Sequence, residues 1–498
     1  MGESADKLKR WLKDKFNLIF LVVISGAFIV RLYYFILTRT QTIWWDEGEY
    51  LSTSIHWVFG IPYDINPQRP ILLPLLESLI IFLGGSELLI KFLLVLLPSI
   101  GIVIITYALG KEMYDKKIGL IASAITGSFW LLLFNTTRLH VEAILMFFTY
   151  LSIYSFWKGF VQGNNKYKLL TGLFLGLSFL TKFTSVLTII SLAFFLLITE
   201  RLKIFKDKHA WLSGLIFIIT VLPYFIWSRI KFGSFFIFLG GSAEVSALVG
   251  RGEIGRSFDW SILKNIPHFT LPLYIILLFI GIFTLYKLIL GLDLLLKKRE
   301  KIFYADLFII LFMVINLSFF IFIQRSAEDR WLMPIVLSIF FLIAKGLIFT
   351  YELMIKFKVP KIIAVVIIVT LISAGSYSHI KAANNIIEAK KDTYIQVKQA
   401  AHWIKENSNK EDIILTASGP QTTYYSKRGT IGYGNKEVIL KKIEELKPRY
   451  AVLSIFEGHP EWVQPYIQDN PKKFVPIHAF FLDQEQKQLA LVIYEIKY

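Results

Sequence analysis

The sequence contains no cysteine, which excludes disulfide bonds and thiolate metal sites, although it does not fix a cellular compartment. Any chemistry must therefore use acids, bases and hydroxyl groups. No glycine fingerprint of the kind that cradles phosphates is present, so no nucleotide-binding loop is predicted. Acidic residues are also scarce, because 37 Asp and Glu oppose 54 Lys and Arg. The resulting charge of +17 makes nucleic acid a conceivable partner.

Long apolar runs decide the class of protein. The chain is 55% hydrophobic with a mean hydropathy of +0.56, and one membrane crossing needs roughly 20 apolar residues. Residues 168–199 are too long for one crossing, and Lys182 lies near their middle, so two spans meeting at Lys182 are expected. The sequence predicts a polytopic α-helical membrane protein with about 11 to 13 transmembrane helices. The other predicted spans are Asn17–Thr38, Leu88–Gly110, Ile118–Phe134, Leu139–Trp157, Trp211–Ile226, Phe269–Leu290, Tyr304–Ile323, Trp331–Tyr351 and Ile362–Tyr377.

The distribution of basic residues orients these spans. Alternate segments between spans hold 22 Lys and Arg, and the intervening segments hold 11 in a greater total length. By the positive-inside rule, the basic segments face the cytoplasm and account for the positive charge without nucleic acid. Residues 71–83 are too short to span, so they are expected to form a re-entrant or interfacial helix. The first span lacks a cleavage pattern, which predicts a retained signal anchor with a cytoplasmic N-terminus in the cell membrane.

An acidic cluster follows the first span, in the sequence Ile43-Trp44-Trp45-Asp46-Glu47-Gly48-Glu49-Tyr50. Acids beside a bilayer are costly to desolvate, which makes this cluster a candidate for chemistry. A simpler interpretation is a helix start, with Asp46 as N-cap and Glu47 and Glu49 in the first turn. The predicted topology places the cluster on the outer side, together with other charged residues at span ends. Their convergence suggests a site for an anionic, membrane-borne substrate. These residues are Arg69, Arg138, His140, Glu142, Lys182, Arg325, Glu328, Asp329 and Arg330.

Four motifs follow one another along the chain: the acidic pair after the first span, Arg138-Leu-His-Val-Glu142-Ala-Ile-Leu145, Gly176-Leu-Ser-Phe-Leu-Thr-Lys182 and Arg330-Trp-Leu-Met-Pro334. In this order they resemble landmarks of GT-C membrane glycosyltransferases, in the protein O-mannosyltransferase and aminoarabinose transferase (ArnT-like) branches. The resemblance covers roughly residues 17–380. It implies transfer of a sugar from a polyprenyl (dolichyl or undecaprenyl) phosphate to a protein, lipid or glycan acceptor on the outer face of the membrane.

The resemblance also implies roles for individual residues. Asp46 matches the family's catalytic acid and is expected to act as general base in a transfer that inverts the anomeric carbon. Glu142 matches a second acidic position that follows an arginine. Gln68-Arg69-Pro70 stands where aminoarabinose transferases usually have Lys-Pro-Pro, so Arg69 is expected to replace a phosphate-binding lysine. The expected catalytic residues are Asp46 and Glu142, the expected donor-phosphate ligands are Arg69, Lys182, Arg330 and Arg138, and the expected supporting residues are Glu47 and His140.

No cofactor is expected. Asp46, Glu47 and Glu49 could hold a divalent ion, but their spacing is no recognised metal loop, and a metal-independent reaction is preferred. The sequence divides into a transmembrane domain at 1–380, with an outer loop at 39–87, and a small extracytoplasmic α/β domain at 381–498. The glycine-rich outer stretch 231–268 is expected to be either a mobile lid or a connector.

Two functions of other classes stay open. Intramembrane charges also mark transport paths, so a secondary transporter is one alternative, although no repeat relates two halves of the chain. A non-catalytic membrane assembly subunit is the other. The expected partners are the lipid-linked sugar donor, the acceptor and membrane lipids.

Overall fold

The structure is a computed structural model that describes residues 6, 11–237, 258–286, 288 and 300–498. Within them, eight helices are long and apolar enough to cross a membrane. Many of their large apolar side chains are exposed, among them Ile218, Ile219 and Ile363, as expected for helices whose outer surfaces face lipid. The chain is an integral membrane protein. The eight helices are Lys15–Leu37, Glu87–Met113, Glu142–Val161, Lys208–Phe232, Trp260–Phe283, Lys301–Gln324, Asp329–Lys356 and Lys361–Lys390.

Shorter helices complete the membrane part. Asn165–Thr181 and Phe183–Thr199 are separated by Lys182, whose backbone is extended (φ −158°, ψ 127°). The predicted interruption at Lys182 is therefore confirmed. Leu72–Phe82 has 11 residues and, at about 1.5 Å per residue, is too short to cross the bilayer core. The remaining short helices are Trp45–Phe59, Lys116–Ser128, Trp130–Asn135 and Arg201–Lys206.

The span expected at Ile118–Phe134 is wrong as a continuous helix, because Phe129 has a non-helical backbone (ψ 117°) between two shorter helices. The Ser128 hydroxyl donates back to the main-chain oxygens of Ala124 and Ile125 in the last turn of the first helix. The glycine-rich stretch 231–268 lies in large part outside the described residues, so its expected mobility stays a prediction.

A five-stranded sheet forms the core of the C-terminal region. Its strands are β1 (Ile413–Thr416), β2 (Gly429–Ile431), β3 (Tyr450–Ser454), β4 (Phe474–Phe481) and β5 (Leu489–Ile496). They lie in the order β2-β1-β3-β5-β4, with β1 parallel to β2 and β3, and β5 antiparallel to β3 and β4. The prediction of a small α/β unit is therefore confirmed.

Four helices accompany the sheet and connect it with the membrane part. They are Ile395–Asn407, Gly419–Ser426, Lys436–Leu446 and Val463–Asp469. The helix Lys361–Lys390 continues past the predicted domain boundary at 380 and delivers the chain to this region. The helix Gly419–Ser426 packs against Trp45–Phe59, the helix that begins with the acidic cluster. Both faces of that acidic helix are buried from Glu47 to Ile55.

Candidate active site

The helix Trp45–Phe59 places the acidic cluster in its first turn. The carboxylate of Glu47 accepts a hydrogen bond from the backbone N–H of Trp44, at 2.5 Å, and therefore caps the helix start. It also accepts one from the backbone N–H of Leu139, at 2.5 Å. Capping is thus performed by Glu47, and the side chain of Asp46 is directed elsewhere.

Asp46 receives two guanidinium groups from distant parts of the chain. Arg69 donates from Nη2 to Oδ1 at 2.5 Å, and Arg330 donates from Nη1 to Oδ2 at 2.7 Å. Arg69 also donates from Nε to Glu49, and Arg330 donates from Nε to Glu328 at 2.6 Å. Three of the predicted site residues therefore meet directly.

The two arginines control the charge of Asp46. Burial opposes the charged form, but the nearby positive charges of Arg69 and Arg330 outweigh it and hold the pKa of this carboxyl well below its usual range. The Asp46 side chain is 21% exposed, so the ion pairs are largely shielded from solvent but open to an incoming group. In this state Asp46 is a weak base, and its two cations are already engaged.

A second ion pair lies beside the first. Lys182 Nζ donates to Glu142 Oε1 at 3.0 Å, from the break between two helices to the first residue of another. Glu142 Oε2 is buried and has no hydrogen-bond partner among the described residues. His140 pairs with Asn135 at 3.1 Å, and burial lowers the pKa of its imidazole, which favours the neutral form. The Lys182–Glu142 pair therefore places, beside a cation, a carboxylate oxygen that accepts no hydrogen bond from any described residue.

Arg138 occupies a different position from the other predicted phosphate ligands. Its guanidinium is fully buried and donates to two backbone oxygens, those of Thr42 at 2.8 Å and Lys390 at 3.0 Å. It also lies 3.5 Å from Glu47 and 3.8 Å above the centre of the Trp44 ring. Arg138 thus braces the start of the acidic helix, and its donor contact stays a prediction.

Two residues at the site are not among the catalytic, phosphate-binding and supporting residues expected from the sequence. Glu49 receives Arg69 Nε and also the amide of Asn66, at 3.0 Å. Glu49 follows Asp46 by three residues, so both lie on one helix face, and this spacing was the signal for a shared partner. Asn66 gave no comparable signal, because it reaches the site only through the fold of the outer loop.

The arrangement is suited to holding a phosphate next to a base. Two forked guanidinium groups and an ammonium group lie among four carboxylates, and the Tyr50 ring lies against Arg69. In the described part of the chain, no three His, Asp or Glu side chains are grouped so that they could hold a metal ion. The expectation of a metal-independent reaction stays a prediction.

Residues 68–227, about a third of the chain, match the dolichyl-phosphate-mannose-protein mannosyltransferase family. This segment includes Arg69, Arg138, Glu142 and Lys182. No curated protein matches the chain by sequence.

Solved structures extend the likeness to nearly the whole chain. ArnT from Cupriavidus metallidurans bound to undecaprenyl phosphate superposes with a TM-score of 0.65 at 12% identity, covering 95% of this chain and 97% of that one. Its apo state gives a TM-score of 0.63 at 13% identity with the same coverage. The chain has a GT-C fold. The apo oligosaccharyltransferase of Archaeoglobus fulgidus, with a TM-score of 0.57 at 13% identity, covers 88% of this chain and 69% of that one.

These matches confirm the resemblance to GT-C membrane glycosyltransferases that the four sequence motifs predicted. They also support the predicted enzyme class. The number of transmembrane helices and the direction in which the chain crosses the membrane stay predictions.

Proposed function

We propose that this GT-C protein transfers a sugar from a polyprenyl-phosphate donor to an acceptor on the outer face of the cell membrane. The observation that carries the proposal is the meeting of Arg69 and Arg330 on Asp46, because it combines two phosphate-binding groups with a carboxylate. A relative with this fold is known bound to undecaprenyl phosphate, and the matching family is named for a dolichyl-phosphate sugar.

The proposed reaction breaks the bond between the anomeric carbon and the phosphate oxygen. An acceptor hydroxyl or amine attacks the carbon from the opposite side, its proton passes to Asp46, and the polyprenyl phosphate leaves with the bonding electron pair. Attack from the opposite side inverts the anomeric centre. Arg69 and Arg330 stabilise the charge that develops on the departing phosphate. No cofactor takes part in these steps.

In this scheme Asp46 acts as a base only after the donor has bound, because its pKa is low in the absence of donor. Without donor, Arg69 and Arg330 stabilise the charged carboxylate and make it a poor proton acceptor. A donor phosphate competes for the same guanidinium N–H groups. As it takes them, Asp46 loses stabilising contacts and becomes a stronger base, so donor binding prepares the base for the acceptor.

Glu142 and Lys182 have complementary roles in the proposal. Glu142 orients the acceptor through its free oxygen Oε2, while Lys182 neutralises Glu142 and adds a positive charge near the phosphate. The neutral imidazole of His140 can donate or accept a hydrogen bond without adding charge.

Glycosyl transfer in purified membranes tests the proposal. Membranes containing the wild type or Asp46→Asn receive labelled polyprenyl-phosphate mannose or polyprenyl-phosphate aminoarabinose, and labelled products are separated into lipid, protein and glycan fractions. We expect transfer by the wild type and a loss of about 100 to 10,000-fold in the variant. Equal turnover in both would remove Asp46 as the base, and solute uptake without transfer would favour the transporter.

A further inference from the structure

The C-terminal region contacts the segment that carries Asp46 at several points. The backbone N–H of Ile43 donates to the Tyr425 hydroxyl at 3.0 Å, and the Trp44 indole donates to the Thr393 hydroxyl at 3.0 Å. Lys398 Nζ donates to the backbone oxygen of Thr40 at 3.1 Å. These contacts hold the residues two, three and six positions before Asp46.

A further contact holds the helix after Asp46. Ser52 Oγ donates to the backbone oxygen of Pro420 at 2.7 Å. Gly48 lies so close to the same turn that an added Cβ would be 2.9 Å from Pro420 Cβ and 3.0 Å from the backbone nitrogen of Gln421. The helix Gly419–Ser426 therefore touches the acidic helix at backbone distance, and any displacement of one moves the other.

We propose that the C-terminal region positions Asp46 for catalysis, with Tyr425 and Thr393 as positioning residues. The inference rests on the proposed role of Asp46 as base. Neither Tyr425 nor Thr393 touches Arg69 or Arg330. Both residues therefore affect the position of the Asp46 carboxylate and leave the contacts of the two arginines with a phosphate unchanged. The C-terminal region thereby forms part of the active-site framework.

The physical reason lies in the burial of these contacts. Ile43 is 1% exposed, so without the Tyr425 hydroxyl its N–H loses its partner away from water. Such a loss is unfavourable unless the backbone moves to find another partner. Ile43 precedes Asp46 by three residues, and a shift of about 1 Å in a reacting group can lower a rate by about 100-fold.

The test compares Tyr425→Phe with Tyr433→Phe in the purified full chain. Tyr433 is a matched control, because its hydroxyl also makes one hydrogen bond to a backbone group, the oxygen of Val452 at 3.2 Å, but within the C-terminal sheet region. We expect Tyr425→Phe to lower kcat by about 10-fold or more and to leave the Kd for undecaprenyl phosphate within about twofold. Tyr433→Phe is expected to leave both values close to wild type.

A second pair of variants separates position from folding. Thr393→Val removes the hydroxyl that accepts from Trp44, and Thr393→Ser keeps it, with little change in size. We expect kcat to fall in the valine variant and to be retained in the serine variant, at equal midpoints of thermal unfolding. If Tyr425→Phe does not fold, the comparison of Thr393→Val with Thr393→Ser tests the positioning role by itself.

The outcomes distinguish this inference from the proposed function. If Asp46→Asn retains turnover, the proposed base is wrong whatever the C-terminal variants do. If Asp46→Asn is inactive while Tyr425→Phe and Thr393→Val keep the wild-type kcat, only the positioning inference is overturned. A fall in kcat matched by an equal fall in undecaprenyl phosphate binding would also overturn it, because positioning of Asp46 leaves the phosphate contacts intact.

Discussion

Replacement of Asp46 by Asn is expected to have opposite effects on binding and on turnover. The amide keeps an oxygen that accepts a hydrogen bond but carries no charge, so Arg69 and Arg330 are held less strongly. A donor phosphate then meets two available guanidinium groups and no neighbouring negative charge from position 46. The variant should therefore bind undecaprenyl phosphate more tightly while it transfers sugar more slowly.

The size of the binding effect follows from the two ion pairs. Asp46 is 21% exposed and its partners Arg69 and Arg330 are 31% and 25% exposed, so each pair contributes less than a fully buried one. About 1 kcal/mol for each charged hydrogen bond is a reasonable value at this exposure. Their joint loss, about 2 kcal/mol, corresponds to an approximately 30-fold lower Kd. The loss of the base raises the barrier by about 3 to 5 kcal/mol.

Two measurements on purified protein check this prediction. Binding of undecaprenyl phosphate is followed by intrinsic tryptophan fluorescence, and turnover is followed with whichever labelled donor the wild type uses. Asp64→Asn is the matched control, because Asp64 is an exposed carboxylate in the same outer loop and makes no ion pair among the described residues. Weaker binding by Asp46→Asn would refute the competition between carboxylate and phosphate, even if turnover falls.

Three other predictions concern charges at the site and in the membrane. Arg330→Gln should weaken undecaprenyl phosphate binding by about 10-fold, and Arg69→Gln by more, because it also exposes the phosphate to the charge of Glu49; the same fluorescence titration measures both. The pKa of Asp46 lies below its usual range, so its carboxylate stays charged as the pH falls from 7 to about 5, and kcat/KM of the wild type for the donor should stay constant over that range. Arg330→Gln removes a positive charge and raises the pKa of Asp46. In that variant, the fall of kcat/KM at acid pH should therefore begin at a higher pH. Asp306→Asn breaks the intramembrane pair with Lys345, in which Nζ lies 2.6 Å from both carboxylate oxygens, and should lower the free energy of unfolding by about 3 to 5 kcal/mol, measured by thermal unfolding in detergent against wild type.

The membrane part of the fold was largely predictable because a bilayer imposes a length on each crossing. The same length limit located the break at Lys182, since one helix over 168–199 would be too long. It could not locate the break at Phe129, where the apolar run continues through a non-helical residue. In the C-terminal sheet, β2 has three residues and β4 contains Pro476 and a register shift, so neither shows a clear alternating pattern.

The sequence predicted part of the group of residues that meet at the site, and the side of the membrane on which they lie stays a prediction. Charge asymmetry collected Asp46, Arg69 and Arg330 at one end of the bundle, and the structure joins them directly. It could not determine which cation meets which carboxylate. Arg138 shares that end but bonds to the backbone of Lys390, 252 residues away, and such a contact follows from tertiary packing alone.

Asp46 therefore has two separately controlled properties, its charge and its place. Arg69 and Arg330 come from the membrane part and set the charge, because they decide whether the carboxylate is stabilised or free to take a proton. Tyr425 and Thr393 come from the C-terminal region and hold the backbone just before it. In the proposed mechanism, a donor phosphate displaces the first set of contacts and leaves the second set intact. The proposed base then gains proton affinity on donor binding without losing its position, which is what a reaction with a separately bound acceptor requires.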